Sequence, residues 1–304
     1  VFVWCVVAGS SGCSCARTCS RLISAAKPAP GTARSALVLT HRRGMADVEI
    51  LPALQDNYMY LVICPKTREA AVVDPVNPQK VFEAVKNANV KLLTVLTTHH
   101  HSDHAGGNDQ IVQMQPGLQV YGGDDRIKQL THKVEKDDFT IRIGQMVVRT
   151  ILTPCHTSGH VCYYIEGDKD AKRPPVVFNG DTQFTAGCGK FFEGTAKQML
   201  AAMDKLGALP FETRVYNGHE YTVNNLKFAL HVEPNNDAAK RKLSWAKIQR
   251  LKDEPTIPST IAEEKSFNPF MRTRELAVQR HTRQSDPIAA MDSLRREKDT
   301  FRPA

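Results

Sequence analysis

Three potential imidazole ligands and a carboxylate lie within six positions of this chain, in the run T-T-H-H-H-S-D-H at 97–104. An apolar stretch at 90–96, with the composition of a buried strand, precedes the run. Alternate residues of an extended segment face the same way, so we expect His99 and His101 to share a metal ion while His100 faces away. A turn into a helix would let Asp103 and His104 reach a second ion. Imidazole and carboxylate together suit divalent zinc, manganese or iron.

Three further candidate ligands follow the ends of other predicted strands. They are His156, Asp181 and His219. Side chains just beyond strand ends converge on one rim of a sheet. Clustering such polar groups has a desolvation cost that nothing offsets unless a metal binds. The sequence therefore predicts a binuclear metal site.

Four ordered motifs carry a resemblance to a known family. They are T-H-H-H-S-D-H-A-G-G at 98–107, T-P-C-H-T-S-G-H at 153–160, G-D-T at 180–182 and G-H-E-Y at 218–221. They resemble the motifs of the metallo-β-lactamase superfamily, and the whole of 45–304 resembles the glyoxalase II (hydroxyacylglutathione hydrolase) family. The resemblance implies an α/β (α+β) fold, a four-layer αββα sandwich followed by a smaller all-helical C-terminal domain.

The resemblance also implies a ligand set for two divalent ions, zinc first and iron or manganese as alternatives. One ion is assigned to His99, His101 and His156, the other to Asp103, His104 and His219, and Asp181 bridges both. His160 and Asp74 are expected to orient ligands.

The implied reaction is hydrolysis of S-D-lactoylglutathione to glutathione and D-lactate, the second step of methylglyoxal detoxification. Two ions about 3.5–4 Å apart lower the pKa of a water molecule that they share. The expected nucleophile is therefore a hydroxide held by the two ions, whose ligands include Asp103 and Asp181. The leaving thiol has a pKa of about 8.5, so its departure needs no dedicated general acid.

The same resemblance implies five substrate-binding residues, Lys190, Phe192, Tyr221, Arg295 and Lys298. Arg295 and Lys298 are three positions apart on a predicted helix and are expected to clamp a carboxylate of glutathione. The family has tyrosine at the place of Phe192, usually an aromatic residue at the place of Ser102, and commonly cysteine at the place of Asn217. None of the three is a metal ligand, and the first two departures, at Phe192 and Ser102, concern affinity and pocket shape more than the chemistry.

Several other functions compete with this interpretation. A persulfide dioxygenase of the same superfamily would hold a single iron with two histidines and one aspartate. A nuclease is disfavoured because no basic stripe interleaved with aromatic residues is present. A metal-stabilised protein without turnover has no reason to keep an open site. A Cys155–His156 nucleophile is disfavoured because neighbouring residues of an extended segment face opposite ways.

The composition is that of a globular protein, with 41% hydrophobic and 24% charged residues and no apolar run long enough to span a bilayer. Residues 1–44 carry six basic residues and no acidic one, so the remainder, with 34 basic and 32 acidic residues, is nearly neutral. We interpret 1–44 as a mitochondrial transit peptide, with a secretory signal or an artefactual upstream translation as alternatives. We expect a mitochondrial form, a cytoplasmic form starting at Met45, no nucleic-acid or membrane partner, and a monomer.

The elements predicted for the remaining chain divide it into a catalytic domain at 45–219 and a helical substrate-binding domain at 220–304. Short apolar runs predict strands up to about residue 217, with helices over 78–87 and 195–206. After His219 we expect helices alone, one starting at Asp286-Pro287 and another at a capping box from Thr260 to Glu263. The four cysteines of 45–304 suggest no disulfide framework.

Overall fold

The computed structural model describes residues 46–168 and 173–302; the predicted leader at 1–44 and the start at Met45 lie outside the described residues. Residues 46–168 and 173–302 belong to one compact unit. The division at 219/220 stays a prediction.

The first sheet has six strands in chain order. Its strands are β1 Asp47–Ala53, β2 Asn57–Ile63, β3 Glu69–Val73, β4 Lys91–Leu96, β5 Gln119–Gly122 and β6 His132–Lys133. β1, β2 and β3 are antiparallel neighbours, and β3, β4, β5 and β6 run parallel. Strand β4 is therefore an inner strand with a parallel neighbour on each side. The histidine run begins at its carboxyl end.

The second sheet has the order β14-β13-β10-β9-β8-β7. Its strands are β7 Thr140–Ile143, β8 Met146–Leu152, β9 Val161–Ile165, β10 Val176–Gly180, β13 Arg214–Asn217 and β14 Ser259–Thr260. β10 and β13 are parallel and adjacent, so the residues that follow them leave the sheet side by side. A separate hairpin joins β11 Gln183–Phe184 to β12 Gly187–Cys188.

Helices flank the two sheets and make up most of the chain after residue 219. They are α1 Pro78–Ala88, α2 Ser102–Ala105, α3 Asn108–Met114, α4 Ala196–Gly207, α5 Thr222–Val232, α6 Asp237–Leu251, α7 Ile261–Phe267, α8 Leu276–Thr282 and α9 Pro287–Thr300, with a 3₁₀ turn at Pro269–Met271. Among the residues that the structure describes, none of these helices has both the length and the apolarity needed to cross a bilayer.

Apolar side chains stack these elements into layers. Tyr60, Tyr163 and Phe178 belong to the core between the two sheets. Val81 of α1 and Ile111 of α3 pack on the outer face of the first sheet. α4 and the later helices cover the outer face of the second sheet. The predicted αββα sandwich with a following helical region is therefore confirmed.

The predicted helix starts are confirmed by their caps. The Asp286 side chain accepts the N–H of Ala289 at the start of α9, and Thr260 and Glu263 form the capping box of α7. The expectation that strands end before His219 is wrong in one place, because β14 pairs antiparallel with β13. Two residues are too few for an alternating pattern, so β14 gave no signal in the sequence.

The carboxyl group of Glu264 is an ionisable group buried inside the helical region. Its Oε2 accepts the N–H of Ala186 at 3.0 Å and the side-chain amide of Asn268 at 2.9 Å. Burial raises the pKa of this carboxyl to about 7. The folded protein therefore holds a proton here at a pH where the unfolded chain, with a pKa of about 4.3, has lost it.

We expect Glu264→Gln to remove this dependence on pH. As the pH rises from 5 to 8, ionisation of Glu264 lowers the free energy of unfolding of the wild type by roughly 2–3 kcal/mol, and the variant has no such loss. The difference in unfolding free energy therefore shifts in favour of the variant. Urea unfolding of both proteins across this range measures the shift. A difference that does not change with pH would contradict a protonated Glu264.

Candidate metal centre and its pocket

The ends of four strands bring all seven predicted ligands to one edge of the sandwich. The segment after β4 carries His99 and His101, and α2 carries Asp103 and His104. The loop from β8 to β9, the end of β10 and the end of β13 carry the other three, His156, Asp181 and His219. The sheets thus convert residues 120 positions apart in sequence into neighbours.

The side chains form two groups of potential ligands. In the first, His101 Nδ1 lies 3.1 Å from both His99 Nε2 and His156 Nε2. In the second, His219 Nε2 lies 3.2 Å from His104 Nε2 and 3.3 Å from Asp103 Oδ2. Each group has the three-donor composition of a transition-metal site.

Asp181 lies between the two groups. Its Oδ1 is 3.3 Å from His104 Nε2, and its Oδ2 is 3.3 Å from His219 Nε2 and 3.5 Å from His156 Nε2. A side chain at Gly218 would clash, because its Cβ would stand 2.3 Å from Asp181 Oδ1. The glycine therefore allows the carboxylate to reach both groups.

Hydrogen bonds on the outer side of the rings fix which nitrogen carries the proton. Asp74 Oδ2 accepts from His104 Nδ1 at 3.0 Å, Asp56 Oδ1 from His219 Nδ1 at 2.9 Å, and the Lys190 carbonyl from His156 Nδ1 at 3.0 Å. In the neutral rings, each Nε2 then points a lone pair inward. Lone pairs of His104 and His219 only 3.2 Å apart repel each other unless a cation lies between them. The donor set therefore fits divalent metal ions.

The pKa values of His219 and Asp181 point to the same conclusion. Burial alone would lower the pKa of His219, but the charge of Asp181 and a hydrogen bond to Asp103 outweigh it and raise the pKa to about 10. Burial would raise the pKa of Asp181, yet the charges of His104 and His219 hold it well below its usual range. The half of the cluster that contains His104, His219 and Asp181 thus stabilises positive charge, which a metal would supply in place of protons.

The two residues predicted to orient ligands make such contacts. Asp74, besides holding His104, accepts from the backbone N–H and the hydroxyl of Thr98, both at 2.7 Å. His160 Nε2 accepts the backbone N–H of Asp181 at 3.2 Å. His100 faces away from the centre, with its Nδ1 3.4 Å from Asp124.

Two orienting residues were missed in the sequence. Asp56 holds His219, and Asn57 donates from its side-chain amide to Asp103 Oδ2 at 3.0 Å. Both lie at the β1–β2 connection, where an Asp-Asn pair reads as an ordinary turn signal. Only the tertiary structure shows that this turn faces the metal centre.

A pocket opens onto the cluster and includes three of the predicted substrate-binding residues. Its wall contains Ser102, Phe184, Lys190, Phe192 and Tyr221 besides the candidate ligands. The Tyr221 ring stacks on His219 with the ring planes 5° apart, and the Phe192 ring packs edge-on against His101. The opening over the metal ligands is therefore lined by aromatic rings and one ammonium group.

Arg295 and Lys298 lie behind this wall rather than in it. Arg295 is buried and donates from Nη1 to the Cys188 carbonyl at 2.9 Å. The Lys298 ammonium lies over the rings of Phe228 and Phe301, and burial lowers its pKa to about 8. Their roles in binding substrate stay predictions, because the structure places Arg295 on the backbone that leads to Lys190.

The β11–β12 hairpin, which supports the pocket wall, is held by polar side chains of the helical region. The contacts are Asn225 to the Thr185 carbonyl at 3.1 Å, Glu264 to the Ala186 N–H at 3.0 Å, Asn268 to the Gly187 carbonyl at 3.0 Å and Arg295 to the Cys188 carbonyl at 2.9 Å. Asn217, which departs from the family pattern, accepts the His219 N–H and donates to Thr185 Oγ1, both at 3.2 Å.

Cys155 does not have the surroundings of a nucleophile. Its Sγ contacts the Thr195 carbonyl, and burial raises the pKa of the thiol to about 12. The described cysteines Cys64, Cys155, Cys162 and Cys188 are unpaired and buried. The sequence-based argument against a Cys155–His156 nucleophile agrees with this environment.

Comparison with known proteins places this fold and site in a family. Residues 54–219 match the family model "Metallo-beta-lactamase superfamily", and residues 220–301 match "Hydroxyacylglutathione hydrolase C-terminus". The chain is 50% identical over 258 residues to the hydroxyacylglutathione hydrolase-like protein of Gallus gallus, covering 84% of this chain and 90% of that one. It is 51% identical over 255 residues to the cytoplasmic hydroxyacylglutathione hydrolase of Arabidopsis thaliana, covering 83% and 98%.

A solved structure supports the fold. The crystal structure of ETHE1 from Myxococcus xanthus superposes with a TM-score of 0.60 at 22% identity, over 84% of this chain and 93% of that one. The fold and the histidine–aspartate cluster are those of the metallo-β-lactamase superfamily. Within it, the chain belongs to the hydroxyacylglutathione hydrolase family.

We expect Asp74→Asn to weaken metal binding about tenfold to a hundredfold, because the amide cannot hold His104 Nδ1–H as the carboxylate does. Competition with a chelator measures the affinity. Asp204→Asn is the control, since it removes a carboxylate that pairs with Arg274 on the surface. Equal affinities for the Asp74 and Asp204 variants would contradict the orienting role.

Proposed function

We propose that this chain is a hydroxyacylglutathione hydrolase that cleaves S-D-lactoylglutathione to glutathione and D-lactate. Its identity of about 50% to relatives that carry this name, over most of both chains, supports the substrate class. The observation that carries the chemistry is the pair of three-donor groups joined by Asp181 at the floor of an open pocket.

We propose that the cluster holds two divalent ions, with zinc the first choice for a set of five imidazoles and two carboxylates. The first ion belongs to His99, His101 and His156 and the second to Asp103, His104 and His219, with Asp181 between them. When bound, such a pair supplies a nucleophilic hydroxide at neutral pH and polarises a carbonyl oxygen.

The protein's own side chains prepare the site for that chemistry. Asp74 and Asp56 hold His104 and His219 with Nε2 inward, and Asp181, 6% exposed, stays ionised beside these histidines. Tyr221 and Phe192 border the pocket with aromatic rings. A thiolate leaves readily, so thioester cleavage is compatible with an outer pocket wall whose described residues include no histidine or carboxylic acid besides the candidate ligands.

We propose that Lys190 is the charged contact for the glutathione moiety, because its side chain lines the pocket outside the metal ligands. Phe192 supplies a ring without the hydroxyl of the family's tyrosine. Arg295 would then act through the Cys188 backbone, or reach the substrate after a local rearrangement of α9.

The alternative, a persulfide dioxygenase with one iron, uses two histidines and one aspartate. Here six donors fall into two groups of three, and the carboxylate of Asp181 lies within 3.5 Å of both, which favours two ions. Counting metals in the purified protein separates the two functions, since the alternative requires one iron per chain.

We expect the purified, metal-loaded full chain to hydrolyse S-D-lactoylglutathione with about two metals bound, as followed by loss of thioester absorbance. Asp181→Ala should abolish turnover because it removes the bridging carboxylate. Arg295→Ala should act mainly on KM, because it disturbs the support of the pocket wall. A folded, metal-loaded chain without thioesterase activity would overturn the proposed function.

We also propose a mitochondrial form and a cytoplasmic form starting at Met45. The acid-free, basic composition of 1–44 supports the first, and the Arabidopsis thaliana relative named as cytoplasmic supports the second. Import into isolated mitochondria should occur for the full chain and fail for the chain starting at Met45. Equal import of both would contradict a targeting role for 1–44.

A further inference from the structure

Glu193 anchors the segment that carries Lys190 and Phe192 to the loop that carries His156. Its Oε2 accepts the backbone N–H of Ser158 at 2.7 Å and the hydroxyl of Ser158 at 2.8 Å. The backbone N–H of Glu193 donates to the Cys155 carbonyl at 3.2 Å. Backbone and side chain thus fasten the end of the pocket segment to both sides of a candidate metal ligand.

Arg126 extends this anchor into a charged network. Its Nη1 and Nη2 donate to the two oxygens of Glu193 at 2.6 and 2.7 Å, and its Nε and Nη2 donate to Asp124 at 2.9 and 2.6 Å. Asp124 is buried, and its Oδ2 lies 3.4 Å from Nδ1 of His100. The guanidinium of Arg126 thus makes bidentate hydrogen bonds to both carboxylates. It connects Glu193, through Asp124, to the histidine run.

The pocket side chains have few other supports. The Phe192 ring is 62% exposed and contacts the rings of His101 and His156, and the Lys190 ammonium lies 6.0 Å from the Phe192 ring centre. The Lys190 carbonyl accepts from His156 at 3.0 Å. Two residues lie between that contact and Glu193: Phe191, which packs against the core of the helical region, and Phe192, whose ring has no such core contact. The position of Phe192 therefore depends on its backbone neighbours, of which Glu193 is the next.

The network is built for position more than for stability. An exposed ion pair contributes on the order of 0–1 kcal/mol, and Arg126 is 46% exposed. A planar guanidinium between two carboxylates, however, fixes the geometry of both. Loss of the network should therefore leave the fold intact and let the pocket segment move.

We propose that Glu193, held by Arg126, is a positioning residue that fixes Lys190 and Phe192 for binding the glutathione moiety; the proposal rests on the proposed function. Glu193 touches neither the metal ligands' inner nitrogens nor the pocket lumen. It acts through the segment, so it governs substrate affinity and not the chemical step.

The test compares Glu193→Gln and Arg126→Lys with wild type in the metal-loaded full chain. We expect KM for S-D-lactoylglutathione to rise about fivefold to twentyfold with kcat within about twofold, and metal content and melting temperature to stay unchanged. Arg126→Lys should resemble Glu193→Gln because an ammonium cannot bridge two carboxylates with paired contacts.

The matched controls are Asp204→Asn and Arg274→Lys, which disrupt a two-bonded but more exposed ion pair between α4 and the helical region. They should leave KM unchanged. Equal KM values for the Glu193 variant and the controls would overturn the proposal, as would a joint fall of kcat and metal content, which would make Glu193 a support of His156 alone.

Binding of S-hexylglutathione, a thioether without an acyl group to hydrolyse, separates this proposal from the proposed function. We expect calorimetry to show a weaker dissociation constant for Glu193→Gln by a similar factor. A wild type that binds the thioether but lacks thioesterase activity would overturn the function alone. Equal affinity in both proteins, or no binding to either, would overturn the positioning role.

Discussion

Mutual repulsion between inward-facing imidazole nitrogens is the constraint around which this structure is organised. The Nε2 atoms of His104 and His219 lie 3.2 Å apart. The proton of each ring is on Nδ1, on the far side, where it is donated to Asp74 or Asp56. Neutral rings in this arrangement are stable only with a cation between them. The protein offsets the cost of assembling them with two hydrogen-bonded carboxylates outside the rings, the buried Asp74 and the partly exposed Asp56, and with one buried carboxylate, Asp181, among them.

The sandwich provides this arrangement through strand ends. The parallel pair β10 and β13 delivers Asp181 and His219 side by side, and β4 delivers the histidine run from the facing sheet. The cores between and outside the sheets fix these ends, so the ligand positions are set by packed strands rather than by mobile loops. The free energy of metal binding therefore does not have to offset the entropy lost in ordering the chain.

Much of the metal centre could be predicted from the sequence, because ligand-type residues at strand ends leave a local pattern. His99 and His101 follow an apolar run, and Asp181 and His219 each follow a short strand signal. Contacts made across the fold leave no such pattern. Asp56 looks like a turn residue, Glu193 like a surface charge, and Arg295 like part of a solvated helix end, yet each holds backbone or a ring near the pocket. The short β11–β12 hairpin was likewise too brief for a periodic signal.

The hairpin and the segment after it are fixed at both ends. The helices fasten residues 185–188, and Ser158 and Arg126 fasten Glu193, while the side chains of Lys190 and Phe192 line the pocket between these attachments. Their neighbours cannot change freely, because a side chain at Gly189 would clash with Asp181 and Phe191 packs against the helical core. Evolution, or an engineer, could therefore retarget the enzyme to other thiol carriers by exchanging the two side chains at 190 and 192 while inheriting the hydrolytic machinery intact.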